Sequence, residues 1–160
     1  MIVAFLVAVD FMNFDYTSLP CSSNVPPPAR VRKGSYSYFD QKMGTGFDVN
    51  VESVKHGSLR AGTEQAVVVL SCQFPIGGTA AAYAYDVHGD SATLLGEVGE
   101  ANWGGDWGAG PDSIHIRFAN DKLYVDSCKG DDCRARELRT YVLRGQKLIK
   151  ISAQTTPSGH

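Results

Sequence analysis

The sequence predicts an all-β domain, a single antiparallel meander that closes into a small barrel, a sandwich or propeller-like blades. Three observations carry this expectation. Short stretches alternate apolar and polar residues, as strands with one covered face do. Seventeen glycines and seven prolines, with β-branched and aromatic residues between them, describe strands joined by tight turns. The 160 residues and their 43% hydrophobic content suit one core, so residues 1–160 are read as one domain without long helices.

Taken in order, Met1–Val9 is apolar and is expected as a buried first strand or the remnant of an export segment. It lacks a basic flank and a small-residue cleavage pattern, and a bilayer core needs about 20 apolar residues. The proline-rich stretch Cys21–Ala29 reads as a connector that cannot enter a sheet interior. Val31–Phe39 places Tyr36 and Tyr38 on one side of a strand, and Gly44-Thr-Gly46 turns the chain. Phe47–Val51 alternates without error, whereas Gln65–Cys72 is a continuous apolar run suited to a central strand buried on both faces. The two are expected to pair across the His56–Glu64 turn. Ala80–Val87, Thr93–Val98, Ser113–Phe118, Lys122–Ser127, Leu138–Arg144 and Leu148–Ala153 complete the series, with residues 154–160 as a frayed tail. Hairpins are expected at 86–90, 118–122 and 144–147, where Gly or Asn supplies positive φ. No repeat of the length that marks a full propeller is present.

A formal charge of −2 with 20% charged residues supplies no basic excess for a phosphate backbone, so nucleic acid is not an expected partner. The four cysteines permit three disulfide pairings or one four-ligand metal site. Cys128 and Cys133 enclose a short loop with a glycine, while Cys21 and Cys72 lack the paired knuckles of structural zinc. Two disulfides, Cys128–Cys133 and Cys21–Cys72, are the reading, with zinc and free thiols as alternatives. Disulfides imply a secreted, periplasmic or cell-envelope location.

Three stretches, Asp10–Tyr16, Val54–Leu59 with Glu64–Cys72, and Ala82–Asp86 with Leu94–Gly96, together resemble the LppP/LprE type of bacterial envelope lipoprotein over about residues 10–97. The resemblance implies an exported, disulfide-containing β domain and no reaction. In such proteins the loop after the Val-x-x-Gly strand resembles an aspartate-rich calcium turn. Here Ser58 and Arg60 stand where carboxylates would sit. Calcium takes about six to eight oxygen ligands, so the arginine opposes a strong site at this loop.

The serine-hydrolase elbow, the zincin motif, phosphate-cradling glycine loops and the dinucleotide fingerprint are all absent from the sequence. Asp86, His88 and Asp90 occupy alternate positions, so an extended chain points all three to one side. There His88 can act as a base, with Asp86 and Asp90 as metal ligands, calcium being the candidate ion; the simpler reading is a polar hairpin turn. His56 and His115 are weaker ligand candidates, and His115 is expected to face away from Ile114 and Ile116.

Residues 101–112 hold both tryptophans, several glycines, Asp106 and Asp112. Read as a binding loop, Trp103 and Trp107 stack on a ligand, Asp112 assists, and Asp106 is a catalytic acid or base or a metal ligand. Read as architecture, the indoles plug one end of the sheet. The function expected first is a non-catalytic envelope domain binding a small molecule, glycan or protein through this Trp/Gly-rich segment. The alternative is a calcium-dependent hydrolase of a small ester or lactone, in which the ion activates water without a serine nucleophile. A structural protein without ligand is the third.

Overall fold

The computed structural model describes residues 8–104, 107–130 and 132–158. Strands β1 (Asp15–Tyr16) and β2 (Ala29–Arg30) form a small antiparallel pair. A six-stranded sheet follows, from β3 (Ser35–Asp40), β4 (Thr45–Gly57), β5 (Glu64–Phe74), β6 (Gly77–His88), β7 (Ser91–Gly104) and β8 (Trp107–Gly108). A 3-10 turn, Pro111–Ser113, leads to a four-stranded sheet of β9 (His115–Ala119), β10 (Lys122–Lys129), β11 (Ala135–Arg144) and β12 (Lys147–Pro157). In both larger sheets every strand lies beside its neighbour in sequence, which is the expected meander, and each ladder is antiparallel. Among the described residues no closed barrel forms.

Turn chemistry sets the hairpins. Asn120 and Asp121 both take positive φ between β9 and β10, the backbone of a turn whose twist matches its strands. Gly89 and Gly145 do the same work in the β6–β7 and β11–β12 hairpins. Strands β4 and β5 pair across the turn before Glu64, as expected.

β5 separates two hydrophobic clusters. Ala66, Val68, Leu70 and Cys72 face the first, with Phe47, Val49, Tyr83 and Tyr85 of neighbouring strands. The N-terminal arm covers this face, burying Phe11, Tyr16, Leu19, Val25 and Val31 against it. Val67 and Val69 face the second cluster, with Ala80, Ala82, Val98 and, from the four-stranded sheet, Leu123, Val125 and Tyr141. The continuous apolar run is therefore explained by burial on both faces. The small alanines of β6 give the bulky partners on each side room to approach. A Cβ at Gly57 would overlap the Phe118 ring, so glycine is what lets β4 and β9 come together.

Both expected disulfides are formed, with Cα separations of 6.0 Å for Cys21–Cys72 and 4.8 Å for Cys128–Cys133. All four cysteines are thus engaged, and none remains for a zinc set or a free thiol. Cys21–Cys72 ties the arm to β5; Cys128–Cys133 closes the loop after β10. The pair of bonds fits an oxidising compartment. Among the described residues no helix is long and apolar enough to cross a membrane.

Several strands outrun their sequence patterns. β7 continues through residues 101–104, which were expected in a loop, and pairs with β8 there. Residues 154–157, expected in the frayed tail, are hydrogen-bonded to β11 up to Ala135↔Pro157. Ladder hydrogen bonds need no side-chain alternation, and the exposed Gln154, Thr155 and Thr156 keep no apolar face to advertise the strand. Of the expected first strand, residues 1–7 lie outside the described part; Ala8 and Val9 form no strand, and Val9 packs on the first cluster.

Candidate functional site

At the far end of β6, Asp86 and His88 share a face because they are two residues apart on a strand. His88 Nε2 lies 3.0 Å from Asp86 Oδ2, with the His88 side chain 64% exposed and that of Asp86 only 13%. Gln65 on β5 donates from Nε2 to Asp86 Oδ1 at 3.0 Å, and its Oε1 accepts from the Leu59 backbone N–H at 2.7 Å. The carboxylate is thereby fixed from behind, and the ring it holds faces a shallow depression of about 160 Å³ that also contains Thr93, Leu95 and Gln146. This is a base-and-orienter arrangement. Asp90 sits in the exposed turn beyond it. Among the described residues no group of three or more His, Cys, Asp or Glu side chains converges on a metal position.

Trp103 stands at the other end of β7, opposite Gly78 and about 33 Å along the ladder from His88. Its indole lies over Gly78, where a Cβ would overlap the ring, and it packs against the second cluster. Asp112 is exposed on the 3-10 turn. Asp106 and the side chain of Trp107 lie outside the described residues. The structure therefore does not bring Trp103 together with Asp86, His88 and Asp90.

His56 and His115 pair locally. His56 Nδ1 is 2.8 Å from Glu64 across β4 and β5, and His115 Nδ1 is 3.8 Å from Asp126 and points outward, as expected. The turn compared with calcium loops is closed by its own backbone: the Arg60 carbonyl accepts from the hydroxyls of Ser58 and Thr63, both at 2.7 Å.

At the Trp103 end, the first hydrophobic face extends past the N-terminal arm and lies open. Phe47 and Phe74 meet there with ring centroids 6.0 Å apart. With Met43, Thr45, Pro75, Ile76 and, from the arm, Asn24, they line a groove of about 460 Å³. Ile76 is 79% exposed and Met43 60%, both at turn tips. Asn24 donates from Nδ2 to the Met43 sulfur at 3.3 Å, and among the described residues no charged side chain lines the groove. Sequence reasoning missed this site. Its signal was an apolar side chain at each of two turns, Met43 between Asp40 and Gly44 and Ile76 after Pro75, where polar residues are usual.

Between the arm and the β6–β7 ladder lies a polar depression of about 340 Å³ lined by Thr17, Ser18, Ser22, Tyr83 and Glu97. Burial, then Glu100 nearby, pushes the Glu97 carboxyl above the ordinary range. Burial likewise drives the phenols of Tyr16, Tyr83 and Tyr85 far above their usual value.

No family model, no curated protein and no solved structure matches this chain.

Proposed function

We propose that the chain is an exported, non-catalytic envelope-type domain that binds a small, largely apolar molecule in the groove between the β3–β4 and β5–β6 turns. The observation behind this reading is the groove itself: about 460 Å³, floored by Phe47 and Phe74 and, among the described residues, without a charged wall. That volume falls within the roughly 300–1,000 Å³ of small-molecule sites, which are apolar with a few oriented polar groups. The disulfides and the LppP/LprE-type resemblance support the envelope setting, and a sandwich-like scaffold of the two larger sheets is part of the same reading. Gly77 pairs with Gly104, which places the start of the Trp/Gly-rich segment beside the strand that leaves the Ile76 turn. The apolar lining favours an apolar ligand over a glycan. Titration with Nile red, a neutral apolar dye, tests this: saturable fluorescence enhancement that Ile76→Asp weakens about tenfold or more is expected. Enhancement unchanged by Ile76→Asp, or none at all, would refute it.

The Gln65–Asp86–His88 relay supports a second reading, hydrolysis of a small ester or lactone with His88 as base; in its calcium-dependent form Asp86 and Asp90 would hold the ion. Turnover of an ester and lactone panel, abolished by His88→Gln, would carry it; chelator sensitivity would add the cation. No turnover would remove it.

A further inference from the structure

The two disulfides sit in different surroundings. Cys21 and Cys72 are both buried, beneath the N-terminal arm in the first cluster. Cys128 is buried too, but Cys133 is only partly covered, in the loop between β10 and β11. A reagent arriving from solvent therefore meets the Cys133 end of this bond first. The enclosed end has a polar neighbour. Ser113, in the 3-10 turn, places its Oγ 3.7 Å from Cys128 Sγ, and because a disulfide sulfur carries no proton, the hydroxyl is the donor. Arg136, opposite Cys128 in the β10–β11 ladder, donates to the Ser113 carbonyl at 2.5 Å and to the Asp126 carboxylate at 3.0 Å; it fixes the serine while Asp126 compensates its charge. Cys133 takes a left-handed φ of 51°, uncommon for a residue with a side chain, so opening the ring lets its backbone relax.

We infer that Cys128–Cys133 is a thiol-exchange site for a dithiol, with Cys133 as the sulfur attacked and Cys128 as the sulfur that leaves. One thiolate of the dithiol bonds to Cys133 Sγ; the Cys128–Cys133 bond breaks and its electron pair passes to Cys128 Sγ, where the Ser113 hydroxyl donates to the new thiolate. The dithiol's second thiolate then bonds to the dithiol's first sulfur, breaking the mixed disulfide and releasing Cys133. The two protons given up by the dithiol end on Cys128 and Cys133, so the dithiol is oxidised to a disulfide and the cysteines are reduced by the same two electrons. Opening the ring also frees the loop that holds the end of β12, where the Cys133 carbonyl accepts from Ser158 Oγ at 2.7 Å and the Arg134 carbonyl from the Ser158 N–H at 2.9 Å.

Brief exposure of the native protein to dithiothreitol, a quench with N-ethylmaleimide and peptide mass mapping test this. Cys128 and Cys133 should be labelled about tenfold faster or more than Cys21 and Cys72, because the buried pair reacts only through local opening, and the β signal in circular dichroism should persist meanwhile. Glutathione, a monothiol, followed by the same rapid quench should leave glutathione on Cys133 and maleimide on Cys128. Ser113→Ala should slow the reaction about 2- to 10-fold, the loss of one hydrogen bond to the leaving sulfur, without moving the glutathione. Equal labelling of the two pairs, or labelling only as the β signal is lost, overturns the exchange site. Glutathione on Cys128 overturns the order of attack, and a Ser113→Ala variant as fast as the wild type removes the serine from the mechanism.

Discussion

Replacing Cys21 and Cys72 together by alanine should be strongly destabilising. The bond joins residues 51 apart, and cross-linking a loop of that length removes about 14 cal/mol/K of entropy from the unfolded chain, or about 4 kcal/mol at room temperature. A chain of 160 residues has an unfolding entropy of about 0.34 kcal/mol/K, so the melting temperature should fall by about 12 °C. Both sulfurs are buried in the first cluster, and the small voids left behind push the loss upward. The matched control is Cys128→Ala with Cys133→Ala, which opens a loop of 5 residues and should cost about 2 kcal/mol, or about 6 °C. Differential scanning calorimetry on both double variants measures the difference directly. Loss of the arm's tether should also uncover the apolar face of Val68, Leu70 and Tyr85, read as new anilinonaphthalene sulfonate fluorescence below the transition. A Cys21/Cys72 variant that melts no lower than the Cys128/Cys133 variant would refute the view that the arm is held chiefly by that bond.

Gly78→Ala should cost about 1–3 kcal/mol through its collision with the Trp103 indole, and should become nearly silent in a Trp103→Ala background; a double-mutant thermal cycle without coupling would deny the contact. Glu97 on β7 and Glu137 on β11 should respond oppositely to pH. Arg139, hydrogen-bonded to Glu137 at 2.6 Å, holds that carboxyl below the ordinary range, so its contribution is present above the unfolded-state pKa and lost as pH falls through the lowered folded value. Glu97, raised by burial, contributes below the unfolded-state pKa and loses that contribution as pH rises through its raised folded value. Urea midpoints at neutral pH should therefore rank Glu97→Gln at or above wild type and Glu137→Gln below it, with both gaps closing in acid; the reverse ranking would contradict the geometry. In alkaline titration, Tyr16, Tyr83 and Tyr85 should ionise only as the chain unfolds, so their absorbance change should coincide with loss of the β signal in circular dichroism.

Strand order within the two larger sheets was legible because strands consecutive in sequence pair there, several across turns with their own local signal, such as Asn120-Asp121 or Gly145. Central burial of β5 was legible for the same reason, since Gln65–Cys72 has almost no polar position to spend on solvent. Strand ends were not. β12 runs through polar, exposed residues whose hydrogen bonds to β11 leave no mark on side-chain chemistry. The Asp86–His88 contact followed from alternation, yet Gln65 behind it did not, because it depends on the register of β5 against β6, Gln65 opposite Asp86. The groove was hidden for a different reason. Its floor uses Phe47 and Phe74, which read as ordinary strand residues, and the two turns that wall it are brought side by side only by the pairing of β4 with β5.

The position of Cys72 on β5 has a consequence for how the sheet assembles. Because side chains alternate, a slip of one residue in the pairing of β5 would exchange its two faces, sending Val67 and Val69 toward the arm and Cys72 away from it. A strand apolar on both sides tolerates such an error better than most, since either face finds hydrophobic company. The sulfur does not tolerate it: in the slipped register Cys72 points away from the arm and out of reach of Cys21. Oxidation thus acts as a proofreader of register, sealing the correct alignment and leaving a misaligned chain with two open thiols.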